Sequence, residues 1–175
     1  SWVTCLLHQG LRLPCDDLPH GLDTDTYYPV SSRLARRYLG LPWGEDAFLV
    51  LNLNRNQPRK RWDVCMQAWA QFVAEDVMKT KKEEAADKGE PPSATAALVI
   101  ATQARKGAWD LVDLYARELS KRGVPTHVGM RYVVFVDAPQ RMTDRDINLL
   151  YNACDVGINT CDGEGFGMCN FEHAA

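Results

Sequence analysis

Short apolar runs alternate with stretches of helical period along most of this 175-residue chain. That alternation constrains the fold more than any other feature. Residues 47–53 (Ala-Phe-Leu-Val-Leu-Asn-Leu), 96–101 (Ala-Ala-Leu-Val-Ile-Ala), 132–136 and 156–159 are too short for helices and too continuously apolar for one-sided strands. Such runs read as strands, the first of them buried. Between the first two, Trp62, Cys65, Met66, Trp69, Phe72, Val73 and Val77 recur at three- and four-residue steps, so a helix from about Arg61 turns them to one side. Ala108, Leu111, Val112, Tyr115 and Leu119 do the same over 108–122, where Gly123 supplies a stop signal. Thr143 with Asp146 resembles a capping box that uses Asp in place of Glu or Gln, and Ile147, Leu150, Tyr151 and Cys154 continue that helix. Strands separated by helices pair in parallel, so the expected fold is α/β, a Rossmann-like doubly wound parallel sheet.

The flanks are less regular. Residues 2–10 read as a helix, 17–20 as a short strand, and Ser32 as the cap of a short helix through Tyr38. The polar stretch 78–95 is Lys/Glu-rich, holds Gly89, Pro91 and Pro92, and reads as a frayed helix end followed by a solvated loop. No internal repeat is apparent.

Composition excludes several classes of function. With 46% hydrophobic and 25% charged residues the chain is neither disordered nor fibrous. A formal charge of -3 is too near balance to imply nucleic-acid or membrane binding through bulk charge. No apolar run reaches the roughly 20 residues of a transmembrane helix, and Ser1-Trp2-Val3-Thr4 opens no secretory signal. The six cysteines contain no Cys-x-x-Cys pair, so we expect reduced thiols, several of them buried, and no metal site. These features point to a cytoplasmic protein, with a membrane-peripheral placement of the full-length protein left open.

In doubly wound sheets, ligands bind beyond the carboxyl ends of the strands. After the first strand comes Asn54-Arg55-Asn56-Gln57-Pro58-Arg59-Lys60-Arg61, with four cations at the start of a helix. The helix dipole disfavours cations there unless an anion offsets them. A phosphate does so, and guanidinium and ammonium are suited to it. A solvated basic loop, or one that grips nucleic-acid backbone, is the alternative. After the fourth strand comes Thr160-Cys161-Asp162-Gly163-Glu164-Gly165-Phe166-Gly167 and then a helix. Glycines before a helix start let backbone N–H groups approach an anion. The segment matches neither the Walker A nor the dinucleotide fingerprint. Glu164 and Glu172 flank this cradle, and carboxylates accept hydrogen bonds from sugar hydroxyls. Each taken alone also reads as a helix-terminus or surface acid. Asp162 lies beside the cradle and His173 beside Glu172, where a packing role is the plainer reading. Trp62 and Trp69 read as core.

Taken together, Glu164-Gly165-Phe166-Gly167 with Glu172 eight positions on resembles the Glu-x7-Glu signature of retaining GT-B glycosyltransferases of the family 4 type. Tyr151-Asn152-Ala153-Cys154-Asp155-Val156 is similar to the lead-in those enzymes carry. Arg55 and Lys60 match their Arg and Lys pair, and Pro19-His20-Gly21-Leu22-Asp23 resembles the segment that opens their donor domain. The resemblance implies that residues 1–175 form a sugar-nucleotide-binding (donor) domain. That domain is one half of a GT-B fold and a fragment of a longer transferase whose N-terminal acceptor domain is missing. It implies that Arg55 and Lys60 hold the diphosphate of a UDP- or GDP-sugar, while Gly165, Phe166 and Gly167 present backbone amides. Glu164 bonds the transferred sugar, Glu172 the ribose, and 137–142 lies near the base. It implies retaining, metal-independent transfer in glycan biosynthesis, no cofactor beyond the donor substrate, no nucleic-acid partner, and little activity from the fragment alone. Asn159-Thr160 stands where the family has Pro-Ser, and Thr102-Gln103-Ala104-Arg105 where a glycine turn is usual. A non-catalytic GT-B-like scaffold or interaction module is the alternative function.

Overall fold

The computed structural model describes residues 20–44, 46–84, 96–136 and 141–175. The helix expected at 2–10 lies outside them, as do most of the strand expected at 17–20 and most of the stretch 137–142; His20 itself has irregular backbone. In chain order the elements are α1 (Ser32–Tyr38), β1 (Phe48–Leu53), α2 (Trp62–Glu84), β2 (Ala96–Ala101), α3 (Leu111–Lys121), α4 (Thr126–Gly129), β3 (Val133–Val136), α5 (Asp144–Ala153), β4 (Val156–Gly157) and α6 (Met168–Ala174). The four strands form one sheet in the order β3-β2-β1-β4, and every pairing is parallel. Leu51 lies opposite Val99 on one side and Gly157 on the other.

Strand alternation splits the apolar side chains between two cores. Val50, Leu98 and Ile100 face Trp62, Met66 and Val73 of α2 and Leu111, Tyr115 and Leu119 of α3. Leu49, Leu51, Ala97 and Val99 face Ala35 of α1 and Leu150 and Tyr151 of α5. Helices therefore cover both faces of a doubly wound sheet, which is why β2 is buried along its whole length and reads as a continuous apolar run. Each large side chain removed from water in this way contributes about 1.5–3 kcal/mol.

Helix α2 shows both the strength and the limit of periodicity. Trp62, Cys65, Met66, Trp69 and Val73 are buried as expected, whereas Phe72 is 38% exposed. It lies at the edge of the apolar stripe and packs against the Trp69 ring at 4.8 Å, the two planes tilted by 31°. The Trp69 indole donates to the Tyr132 carbonyl (3.1 Å) and that of Trp62 to the Arg55 carbonyl (3.1 Å), so both buried rings satisfy their N–H and the second pins the loop after β1. The helix runs on to Glu84, past the point where its pattern decays.

Two caps separate expectation from outcome. Thr143 and Asp146 form a reciprocal capping box on α5, since Asp reaches back to the N-cap amide as Glu does elsewhere. Ser32 is not a cap. It is the first residue of α1, the N-cap is Ser31, and Ser31 makes no side-chain capping bond. That helix is held instead by Arg36, whose guanidinium bonds Asp155 (2.8 Å) and the Ala153 carbonyl (2.8 Å). Arg36 and Asp155 thereby tie α1 to the start of β4.

Candidate functional site

From β1 the chain moves outward to β2 and β3 on one side, then returns to place β4 on the other. The direction of winding reverses between β1 and β4, the point at which doubly wound sheets bind ligands. The loops bordering it are those after β1 (residues 54–61) and after β4 (residues 158–167). The structure brings them into direct contact. The Thr160 hydroxyl donates to the Lys60 carbonyl (3.0 Å), the Asp162 amide donates to the Arg59 carbonyl (2.9 Å), and Arg59 donates to the Gly163 carbonyl (3.1 Å).

Charge follows the same path. Lys60 closes a short 3-10 turn (Pro58–Lys60) ahead of α2. Its side chain is 8% exposed and its ammonium is ion-paired with the Glu164 carboxylate. Arg59 reaches the other oxygen of Glu164 at 3.1 Å. Arg61 bridges Asp63 and Asp162, each at 3.0 Å. Arg61 also adopts a left-handed backbone, φ 48°, which is strained for a residue with a Cβ. The cations that the helix dipole disfavours are therefore offset by carboxylates, two of them delivered from the other loop. Burial lowers the pKa of Lys60, with Arg59 and Arg55 pushing the same way against Cys161 and Cys169. The hydrogen bond from Arg61 holds Asp63 below the usual carboxylate range.

The remaining expected site residues are placed separately. The Arg55 side chain is exposed, near enough to act on Lys60 electrostatically, and makes no hydrogen bond or ion pair among the described residues. Phe166 stacks on Phe171 at 4.7 Å and meets the His20 ring edge-on at 5.0 Å. Gly167 is the N-cap of α6 with φ 80°, a conformation that favours glycine. A Cβ at Gly165 meets nothing within 4 Å, so the fold itself does not demand glycine there. Glu172 does not join Glu164. It accepts a hydrogen bond from the Tyr151 hydroxyl (2.7 Å), and His173 stacks on that tyrosine at 5.2 Å. Burial, then the bond to Glu172, raises the Tyr151 pKa. The two acids thus face different surroundings.

Two clefts open beyond the strand ends. One, of about 310 Å³, lies over β1 and β4 and is bordered by Tyr151, Gly157, Asn170 and His173. The other, of about 470 Å³, lies over β1 and β2 and is bordered by Arg55, Gln57, Thr102, Gln103 and Lys106. Leu53, Asn54 and Cys169 belong to both. The second cleft has a fixed wall. Asn56 donates to the Gln103 and Trp109 carbonyls (3.1 and 2.7 Å) and accepts from the Trp109 amide (3.2 Å). Gly107, at φ 124°, passes so close that any Cβ would strike Asn56. Periodicity could not have found Asn56, because its partners lie about fifty residues away.

Among the described cysteines, Cys65 and Cys154 are buried, and burial pushes their thiols up to about 11 and about 12. Cys161 and Cys169 are partly exposed. Among the described residues no helix is long and apolar enough to cross a membrane. No protein-family model and no curated protein matches this sequence.

Proposed function

We propose that this chain is the donor-nucleotide domain of a retaining glycosyltransferase of the GT-B family 4 type, binding a UDP- or GDP-sugar for transfer to an acceptor hydroxyl. The observation that carries the reading is the meeting of Lys60 and Glu164 where the winding of the sheet reverses. A cation and an acid drawn from two loops at that point are what a phosphorylated, hydroxyl-rich ligand requires. The glycine at 165, which the fold leaves unexplained, allows such a ligand close to the backbone.

In this reading the carboxylate and the diphosphate exchange partners. Glu164 neutralises Lys60 and Arg59 in the free protein. When the donor enters, its diphosphate takes those cations together with Arg55, and Glu164 turns to hydroxyls of the transferred sugar. Charge that develops on the departing diphosphate then meets cations already held in place. One well-placed group of this kind lowers a barrier by about 3 kcal/mol. Gly165, Phe166 and Gly167 contribute backbone amides, and Glu172, fixed by Tyr151, accepts from the ribose. The acceptor site belongs to a partner domain of the longer enzyme.

The test is thermal. UDP, GDP or one of their sugar conjugates at millimolar concentration raises the melting temperature of the wild-type chain, and Arg55→Ala or Lys60→Ala removes the rise. An unchanged melting curve across that panel overturns the reading. A second reading, a scaffold that keeps the fold without transfer, draws support from the same ion pair, because Glu164 already satisfies the cations. Glycosyl transfer by the longer protein, abolished by Glu164→Ala, excludes it.

A further inference from the structure

Asn54 is the first residue after β1, at the head of the basic loop, and it is 9% exposed. Its amide is half used. The Nδ2 group donates to Asn52 Oδ1 (2.7 Å), and Asn52 in turn donates to the Cys65 sulfur (3.3 Å). The chain runs donor to acceptor into the core, and its outer acceptor, Asn54 Oδ1, is buried without a hydrogen-bond partner among the described residues. A buried polar atom left unpaired costs about 1–3 kcal/mol. Leucine or valine at this position would carry no such penalty.

The position of the atom suggests its use. Asn54 stands in the wall shared by the two clefts, with Leu53 and Cys169 beside it. Cys169 belongs to α6, a seven-residue helix without a single buried residue. Cys169 brings α6 to the same wall, and α6 is held to α5 by the Glu172–Tyr151 bond, whereas the Asn56 and Gly107 wall opposite is fixed by bonds and close packing within its own loops. For a ligand to reach the amide oxygen, which is closed off from solvent, the wall that includes Cys169 must move aside.

We propose that Asn54 is a specificity residue of the donor site, its Oδ1 accepting a hydrogen bond from an N–H or O–H group of the bound nucleotide sugar. The inference rests on the sugar-nucleotide reading above. An amide oxygen accepts only, so it selects groups that donate: base N–H, ribose hydroxyl or sugar hydroxyl. The diphosphate of a nucleotide sugar is fully ionised at neutral pH and donates nothing, so it gains nothing from it. Arg55 and Lys106 on the rim of the larger cleft supply charge for the diphosphate, and Asn54 supplies discrimination.

Isothermal titration of the 175-residue chain separates these terms. The ligands are pyrophosphate, the tighter-bound of UDP and GDP, and the matching UDP-glucose or GDP-mannose. The proteins are wild type, Asn54→Ala, Asn54→Ser and, as a structural control, Asn52→Ala, with melting temperatures measured for all. Asn54→Ala leaves the pyrophosphate Kd within about twofold, weakens a donor-bearing ligand about tenfold, and lowers the melting temperature only modestly, because removal of the unpaired oxygen offsets the Asn52 acceptor left without its donor. Asn54→Ser, whose hydroxyl accepts, recovers part of the loss. A loss already present with the nucleoside diphosphate assigns the contact to the nucleoside; a loss confined to the sugar conjugate assigns it to the sugar. Equal weakening of all three ligands together with a lower melting temperature makes Asn54 structural and overturns the proposal, as does unchanged affinity for all three. If the wild type binds none of them, the sugar-nucleotide reading falls first.

Discussion

At the scale of single residues, the informative pair is Lys60 and Glu164. A lysine side chain 8% exposed is tolerable because a carboxylate 24% exposed reaches it. Removing one member of a fully buried pair costs about 3–5 kcal/mol; the solvent access of Glu164 reduces that, and we expect Glu164→Gln to lower stability in urea by about 1–2 kcal/mol. The same change vacates two cations, so pyrophosphate binds more tightly to Glu164→Gln than to wild type. Denaturation curves and anion titrations check both halves. Equal stability together with equal anion affinity removes the partner-exchange mechanism. None of this pairing was legible in the sequence, because 104 residues separate the two side chains. The excess of cations at a helix start was legible, and so was the need for an anion. That Glu164, Asp162 and Asp63 meet the need in the free protein required coordinates.

At the scale of elements, the helices differ in how they are secured. Helix α3 begins at the Asp110 cap and ends on a charged clamp. Glu118 accepts from Lys121 (2.6 Å) and Arg122 (2.7 Å), and Arg122 also donates to Gln71 of α2 (3.0 Å). Those hydrogen bonds, Lys121 first and then Arg122, hold Glu118 below its usual 4.5. Because the folded state keeps the proton off more strongly than the unfolded chain does, the clamp stabilises fully above pH 4.5. It is lost as pH falls through the depressed folded value. Glu118→Gln therefore destabilises at pH 7, and the gap from wild type closes as pH falls below 4.5. Melting temperatures from pH 7 to pH 3 decide this, and a gap that stays constant defeats it. Existence and order of the four strands and of the other helices were readable because buried parallel strands and amphipathic helices impose different periods; α4 (Thr126–Gly129) was not, since four residues are too few to show one. The error at Ser32 arose because a cap is defined by backbone conformation and by a bond that composition only suggests. The exposure of Phe72 arose because the stripe has an edge as well as a centre.

At the scale of the whole molecule, the sheet is buried most at its centre and least at the edge that borders the candidate site. Strand β2 lies between β1 and β3, buried from end to end, with a core on each face. Strand β4 contributes two residues at the edge, and α6 after it buries none. The candidate site is built on that weaker side, where the Glu164 and Thr160 contacts bind the last loop to the first. Regions with few buried contacts open at low free energy and independently of the core. Amides of β1 and β2 should therefore exchange only through global unfolding, while those of α6 exchange through a local opening that adding urea hardly accelerates. A nucleotide sugar bridging the two loops should slow exchange in α6 and residues 160–167 and, because it stabilises the folded state as a whole, slow β2 by the same factor. Uniform protection across the sheet and α6 without ligand would mean that α6 is part of the cooperative core, and would remove the opening on which access to Asn54 depends.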